Sequence, residues 1–143
     1  MQDTKRKQLI QDNADKYAQS RGNWIKKNKY FYKDDYSYMR FLVNKNKSIL
    51  DLGCGTGELL KELEPSFGVG VDFSKEMISV AKSKHPEFNF IHGDLEDPEV
   101  ISSLKGPFDY IILSDTIGYL DDCEAAFSNL HSLCNSKTRL IIS

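Results

Sequence analysis

Short apolar runs alternate with stretches of helical periodicity along residues 48–143. The runs are rich in Ile, Leu and Val and end at Gly, Asp or Pro, which is typical of buried strands. Between the runs, apolar residues recur three or four positions apart, which predicts amphipathic helices. The predicted strands span residues 48–52, 67–71, 88–91, 108–113 and 138–142.

The helices between these strands have recognisable ends. The first is predicted to begin after Gly57 and to end before Pro65, because proline cannot continue a helix. Ser74 is a favourable N-cap for the second, and Asp121 or Asp122 for the last. A loop or short helix is expected at about residues 98–104. Strands alternating with helices in this way predict a parallel sheet that is covered on both faces and binds ligands at the carboxyl ends of its strands.

The first 47 residues differ in composition from the remainder. They contain twelve Lys or Arg against five Asp or Glu, whereas residues 48–143 contain seven against sixteen. Half of the sixteen aromatic residues also lie in this basic segment. Two helices are expected here, at about residues 4–19 and 29–43, and the simplest interpretation is a pair of solvated helices packed over one edge of the sheet.

The sequence ILDLGCGTGE, residues 49–58, follows the first predicted strand with three glycines at alternate positions. A dinucleotide-binding fingerprint would need Gly or Ala at position 58, where Glu58 stands instead. The P-loop is excluded because no Gly-Lys-Ser or Gly-Lys-Thr follows. Acidic residues on both sides of the loop favour a ligand with positive charge, and S-adenosylmethionine carries one at its amino group and one at its sulfonium.

Polar residues also follow the second, third and fourth predicted strands. Asp72 stands nineteen residues after Gly53, the spacing at which a carboxylate accepts ribose hydroxyls, although it is alternatively a cap for the next helix. Asp94 could accept a hydrogen bond from an adenine amino group, with the Leu95 N–H beside the ring. Ser114 ends the fourth strand and is expected beside the glycine loop if the strand order reverses there.

The motifs DLGCGTG, GVDFSKEM, GDLE and FDYIILSD, taken together, resemble those of the class I S-adenosylmethionine-dependent methyltransferases. The resemblance covers about residues 48–143 and implies a Rossmann-like doubly wound parallel sheet with strand order 3-2-1-4-5. It implies that the glycine loop holds the methionine part, that Asp72 holds the ribose and that Asp94 meets the adenine amino group. The cofactor residues implied are Asp51, Gly53, Cys54, Gly55, Gly57, Asp72, Phe73, Met77, Asp94, Leu95 and the carbonyl of Ser114, with the Cys54 side chain expected to pack rather than to act as a nucleophile.

The front segment resembles the variable N-terminal helices that fold over the cofactor in small-molecule methyltransferases. Tyr17 and Arg21 are four residues apart and so are expected on one helical face, and they are candidates for the cofactor carboxylate. Two other interpretations stay open. Interleaved basic and aromatic residues also occur in single-strand nucleic-acid platforms, and a pair of solvated packing helices needs no function at all.

The family sheet has seven strands, whereas this sequence ends after the fifth. We therefore expect a helical cap at residues 1–45 and a cofactor-binding core at 46–143 that lacks strands six and seven. Either the sequence is a fragment of a longer protein, which we favour, or it self-associates through an exposed apolar edge at residues 140–142.

Several classes of protein are disfavoured by what the sequence lacks. It has no apolar stretch near eighteen residues and no secretory signal, so no membrane span is expected. Three cysteines without ligand spacing indicate a reduced, cytoplasmic protein without a metal site. The Asp-Pro-Pro-Tyr and Pro-Cys motifs of DNA methylation are absent, which makes a nucleic-acid substrate unlikely.

The sequence therefore predicts methyl transfer from S-adenosylmethionine to a small-molecule acceptor, with no identified catalytic base. One alternative is a methyltransferase-like module that binds the cofactor within a larger protein without catalysis of its own. A second alternative is a nucleic-acid methyltransferase. A nicotinamide oxidoreductase is disfavoured by Glu58.

Overall fold

The structure, a computed structural model, describes residues 5–143. The front segment forms α1 (Lys5–Tyr17), a 3-10 turn (Ala18–Ser20), α2 (Arg21–Lys27) and α3 (Lys29–Leu42). Residue 4, where the first helix was predicted to begin, lies outside the described residues. The separate helix α2 was not predicted; it arises because the Arg21 N–H bonds to the Ala18 carbonyl and tightens the chain at the end of α1.

Five parallel strands form one sheet with the order β3-β2-β1-β4-β5, which confirms the predicted topology. The order of successive strands across the sheet reverses between β1 and β4, so the carboxyl ends of these two strands flank a crevice. Each strand lies within two residues of its predicted limits. The strands are β1 (Ser48–Leu52), β2 (Phe67–Asp72), β3 (Asn89–His92), β4 (Tyr110–Leu113) and β5 (Arg139–Ile142).

Two of the helices that connect the strands begin at the predicted caps. Ser74 Oγ accepts a hydrogen bond from Met77 N at 3.1 Å, and Asp122 Oδ1 accepts one from Ala125 N at 3.0 Å. Each cap satisfies an N–H group that has no partner within its own helix. The helices are α4 (Glu58–Leu63), α5 (Lys75–Lys84), α6 (Pro98–Ser102) and α7 (Cys123–Asn129).

Apolar side chains cover both faces of the sheet because successive residues of a strand point to opposite sides. Leu50 and Leu52 belong to a core shared with α6 and α7, whereas Ile49 lies in a second core with Met39 of α3 and Leu60 of α4. The helix α3 therefore packs on the sheet face to which Ile49 points. By the same alternation, Asp51 points to that face, at the carboxyl end of β1.

The strand β5 pairs with β4 and lies at the edge of the sheet. Its Leu140 and Ile142 side chains remain 47% and 44% exposed. Self-association through this edge stays a prediction. Among residues 5–143, no helix has the length and apolar character needed to cross a membrane.

Candidate functional site

A cavity of about 480 Å³ opens at the carboxyl ends of β1, β2, β3 and β4, between the sheet and the front helices. All but one of the thirteen predicted cofactor residues line it. Gly57 is the exception, and its position is described below. The lining residues from the predicted set are Tyr17, Arg21, Asp51, Gly53, Cys54, Gly55, Asp72, Phe73, Met77, Asp94, Leu95 and Ser114.

The glycine loop bends sharply back toward β2. Gly53 and Gly55 have φ angles of 83° and 54°, a region that disfavours side chains. The Gly53 N–H donates to the Val71 carbonyl at 2.7 Å. A Cβ atom on Gly53 would overlap the Thr116 hydroxyl, which itself donates to the Leu52 carbonyl at 3.0 Å. Thr116 therefore supports the loop from behind, at the position beside the glycine loop that follows from its place after the fourth strand.

Two members of the loop serve the structure of the core. Gly57, with φ of 89°, is the N-cap residue of α4, and a Cβ there would approach Phe90 Cζ to 2.8 Å. The Cys54 side chain packs against Gly70 of β2 and is almost inaccessible. Burial, together with nearby carboxylates, raises the pKa of the Cys54 thiol well above its ordinary value, which disfavours the thiolate that a nucleophile requires.

Asp51 lies at the floor of the cavity with 2% of its surface exposed. Among the described residues, its Oδ1 atom has no hydrogen-bond partner. Burial, with a contribution from the charge of Asp72, raises the pKa of Asp51 to about 7, while Arg21 opposes the rise. A buried, unpartnered carboxylate oxygen is costly unless a ligand donates to it.

Asp72 holds the turn after β2 through both of its carboxylate oxygens. Oδ2 accepts from Gly55 N and Oδ1 accepts from Ser74 N, each at 2.9 Å. Ser74, not Asp72, caps α5, so the alternative role of Asp72 as the helix cap is wrong. Burial raises its pKa, although these two N–H groups and Arg21 act in the opposite direction. A carboxylate has about four acceptor positions, so two remain for a ligand.

Asp94 lies at the opposite end of the cavity in a network that includes an unpredicted lysine. Its Oδ1 accepts from Glu96 N at 2.9 Å, and its Oδ2 lies 2.6 Å from Lys7 Nζ. Lys7 Nζ also lies 2.5 Å from Glu96 Oε2. Glu96 accepts in turn from the N–H groups of Asp121 and Asp122, at 3.0 and 2.8 Å.

Lys7 is one of several polar residues through which α1 contacts the core. Gln11 Nε2 donates to the Phe73 carbonyl at 2.8 Å, and Asp15 Oδ1 accepts from Ser74 Oγ at 2.5 Å. Lys7, Gln11 and Asp15 are spaced by four residues and therefore share one face of the helix. That spacing was the signal available in the sequence.

Tyr17 and Arg21 both line the cavity, but the prediction that they share one helical face is wrong. The helix α1 ends at Tyr17 and α2 begins at Arg21, with the 3-10 turn between them. Arg21 Nε lies 3.2 Å from the position that a Cβ of Gly55 would occupy, so its guanidinium covers the glycine loop.

The remaining wall of the cavity is formed by carboxylates and phenols of α3 and of the loop after β4. It includes Tyr32, Asp35 and Tyr36 of α3 together with Asp115, whose φ angle is 53°. Burial and the charge of Asp115 raise the pKa of Asp35. This wall is acidic, and sequence reasoning did not single out Asp35 or Tyr36.

Comparison with known proteins assigns the chain to a family. Residues 24–143 match the family model described as a methyltransferase domain. The chain is 34% identical over 104 residues to a malonyl-[acyl-carrier protein] O-methyltransferase of Halalkalibacterium halodurans, a match that covers 68% of this chain and 38% of that protein. It is also 40% identical over 55 residues to a dTDP-3-amino-3,6-dideoxy-alpha-D-glucopyranose N,N-dimethyltransferase of Streptomyces fradiae, covering 37% of this chain and 22% of that protein.

Solved structures agree with this assignment at the level of the fold. An S-adenosylmethionine-dependent methyltransferase of Thermotoga maritima superposes with a TM-score of 0.76 at 19% identity, covering 93% of this chain and 60% of the other. The chain thus spans well under half the length of the two curated relatives named above.

Proposed function

Because the chain belongs to the class I S-adenosylmethionine-dependent methyltransferases, we propose that it binds S-adenosylmethionine in this cavity and transfers its methyl group to a small-molecule acceptor. The observation that carries the proposal is the unpartnered Asp51 Oδ1 atom at the floor of a cavity bounded by the glycine loop. A carboxylate in this position fits the ammonium of the methionine part.

The residues around Asp51 fit the rest of that group. Arg21 covers the glycine loop and supplies a guanidinium for the methionine carboxylate. Ser114 lines the same cavity, and its carbonyl, which also accepts from Thr116 Oγ1, would accept from the ammonium together with Asp51. The protein thus offers a negative charge, on Asp51, to the ammonium of the methionine part and a positive charge, on Arg21, to its carboxylate.

The nucleoside would be held by the turns after β2 and β3. Asp72 keeps two acceptor positions for the ribose hydroxyls, since its two N–H partners occupy the others. Phe73 and Met77 offer apolar surface to the adenine ring, and Asp94 offers an acceptor to its amino group.

The protein's part in the reaction is to hold the acceptor in line with the methyl group. When bound, S-adenosylmethionine supplies a methyl group on a sulfonium, which is a good leaving group. Positioning alone can then account for a large share of the acceleration, and a base is required only where the acceptor is protonated. Asp35 and Tyr36 stand on the wall beyond the cofactor residues and would contact the acceptor.

The acidic wall supports a small molecule over a nucleic acid as the acceptor. Asp35, Asp115 and Glu58 all line the cavity, and their charges would repel a phosphate backbone. The named relatives point the same way, since one is described as acting on malonyl-[acyl-carrier protein] and the other on a dideoxy amino sugar nucleotide. Residues 1–45 would form the cap over the cofactor, and a cytoplasmic location stays a prediction from the cysteine usage.

A test of this proposal is calorimetric titration of the chain with S-adenosylhomocysteine. We expect binding by the wild type and a loss of at least about thirtyfold for Asp72→Ala, because ribose hydroxyls then lose a charged acceptor. Asp34→Ala is the matched control, since Asp34 is exposed on α3 and does not line the cavity. Absence of binding by the folded wild type would overturn the cofactor assignment. Binding without turnover on any small acceptor would favour the alternative of a cofactor-binding module.

A further inference from the structure

Lys7 is a buried ammonium group that the proposed function has not used. Only 5% of its surface is exposed, and it lines the adenosine end of the cavity. Its Nζ atom lies 2.6 Å from Asp94 Oδ2, 2.5 Å from Glu96 Oε2 and 3.8 Å from Asp121 Oδ2. We propose that Lys7 is a positioning residue that holds the Asp94 carboxylate where it accepts the adenine amino group; this rests on the proposed function.

The geometry around Asp94 leaves it open to a ligand. One oxygen accepts from Glu96 N and the other from Lys7 Nζ, so both are fixed in orientation. About two of the four acceptor positions of a carboxylate are then unused. The Asp94 side chain is 20% exposed and lines the cavity, so these positions are accessible from the ligand side.

Lys7 itself is held by contacts along its own helix. Gln11 and Asp15, one and two turns further on, bond to the Phe73 carbonyl and to Ser74 Oγ. Arg6 donates to the Gly118 carbonyl at 2.6 Å on the other side. Contacts on both sides of Lys7 therefore hold α1 against the core, and they keep the Lys7 ammonium beside Asp94.

Removal of the ammonium would change Asp94 more than its neighbours. Asp94 and Glu96 both lie within bonding distance of one nitrogen atom, so without it their charges would repel each other. Among the N–H groups of residues 5–143, Glu96 retains those of Asp121 and Asp122, whereas Asp94 retains only that of Glu96. Asp94 is also the more exposed of the two carboxylates, so it is the one that would turn toward solvent.

The test compares S-adenosylhomocysteine with its 6-deamino analogue, in which hydrogen replaces the adenine amino group. Calorimetric titration of the wild type should show a preference of about tenfold for the amino compound, the usual worth of a hydrogen bond to a charged group. In Lys7→Met the preference should fall to about twofold or less. Lys7→Arg should restore most of it, because a guanidinium can still donate to Asp94. Lys5→Met, an exposed lysine on the same helix, should leave the preference unchanged.

Each outcome of this test either supports or overturns the positioning role of Lys7. A merely structural role for Lys7 would lower the affinity for both compounds equally and keep their ratio, and that result would overturn the proposal. Lys7→Gln keeps an N–H donor without the charge, so it tests the same ratio should Lys7→Met fail to fold. If the wild type binds S-adenosylhomocysteine without preferring it to the analogue, the role of Lys7 and the contact of Asp94 with the adenine amino group are both wrong, while cofactor binding in the cavity stands. If it binds neither compound, the proposed function fails as well.

Discussion

Two buried carboxylates, Asp51 and Glu96, lie at opposite ends of the cavity and differ in their hydrogen-bond partners and in the direction of their pKa shifts. Asp51 has an oxygen without a partner among the described residues, and burial raises its pKa to about 7. Burial would also raise the pKa of Glu96, but the hydrogen bonds from Lys7, Asp122 N and Asp121 N outweigh it and lower the pKa overall. Both side chains are almost inaccessible, so burial alone does not distinguish them.

The difference separates a structural carboxylate from one that awaits a ligand. Glu96 joins α1 to the loops before α6 and α7, and its acceptor positions are filled within the chain. Asp51 faces the cavity from the end of β1, and no donor within residues 5–143 reaches its Oδ1. We therefore expect changes at Glu96 to act on stability and changes at Asp51 to act on binding.

The largest effect is expected for Glu96→Gln, in the free energy of unfolding. The amide removes the negative charge that faces Lys7 in a buried ion pair, which should cost about 2–3 kcal/mol. Chemical denaturation measures this loss, with Glu99→Gln, three residues further on and exposed, as the matched control. Lys7 still pairs with Asp94 in the variant, so the affinity for S-adenosylhomocysteine should change less than about threefold. An unchanged unfolding midpoint would show that the pair is not what holds α1 to the core.

Asp51→Asn should show the reverse pattern. The affinity for S-adenosylhomocysteine should fall roughly thirtyfold, about 2 kcal/mol, because the ammonium loses its charged acceptor. The free energy of unfolding should stay the same or rise at pH 8, since the substitution removes a buried charge whose ionised form is disfavoured. Titration calorimetry and denaturation of the same preparation measure the two effects. A variant that loses stability but keeps its affinity would assign Asp51 to the core instead of the ligand.

The contrast between these ends also explains how much could be predicted from the sequence. Asp51, Asp72, Asp94 and Ser114 lie at or just beyond strand ends, so an apolar run followed by a polar residue locates them. Local pattern likewise predicted all five strands, whereas their order was implied by the resemblance to the class I methyltransferases. Lys7 contacts Glu96 across 89 residues of sequence, and a lysine on a polar helix is ordinarily solvated. Only the fold brings that pair together, and the four-residue spacing of Lys7, Gln11 and Asp15 was the sole local signal.

The smallest effect, and the most specific, is the pH dependence of cofactor binding at the Asp51 end. A pKa of about 7 means that the folded chain binds this proton more tightly than the unfolded chain does. The contribution of Asp51 to stability therefore falls as the pH rises from about 4 toward 7. A ligand ammonium favours the ionised carboxylate, so the affinity for S-adenosylhomocysteine should rise with pH up to about 7, by less than tenfold per unit, and then level.

Calorimetry in two buffers of different ionisation enthalpy, at pH 6 and pH 7.5, tests this dependence through the protons released on binding. We expect release at pH 6 that diminishes at pH 7.5 and disappears in Asp51→Asn. Asp72 also has a raised pKa, so any release that persists in Asp51→Asn belongs to that residue or to another group of the cavity. Glu96 should contribute none, because its lowered pKa keeps it ionised throughout this range. Equal proton release by the wild type and Asp51→Asn would mean that the Asp51 carboxylate is not the group that meets the ligand ammonium.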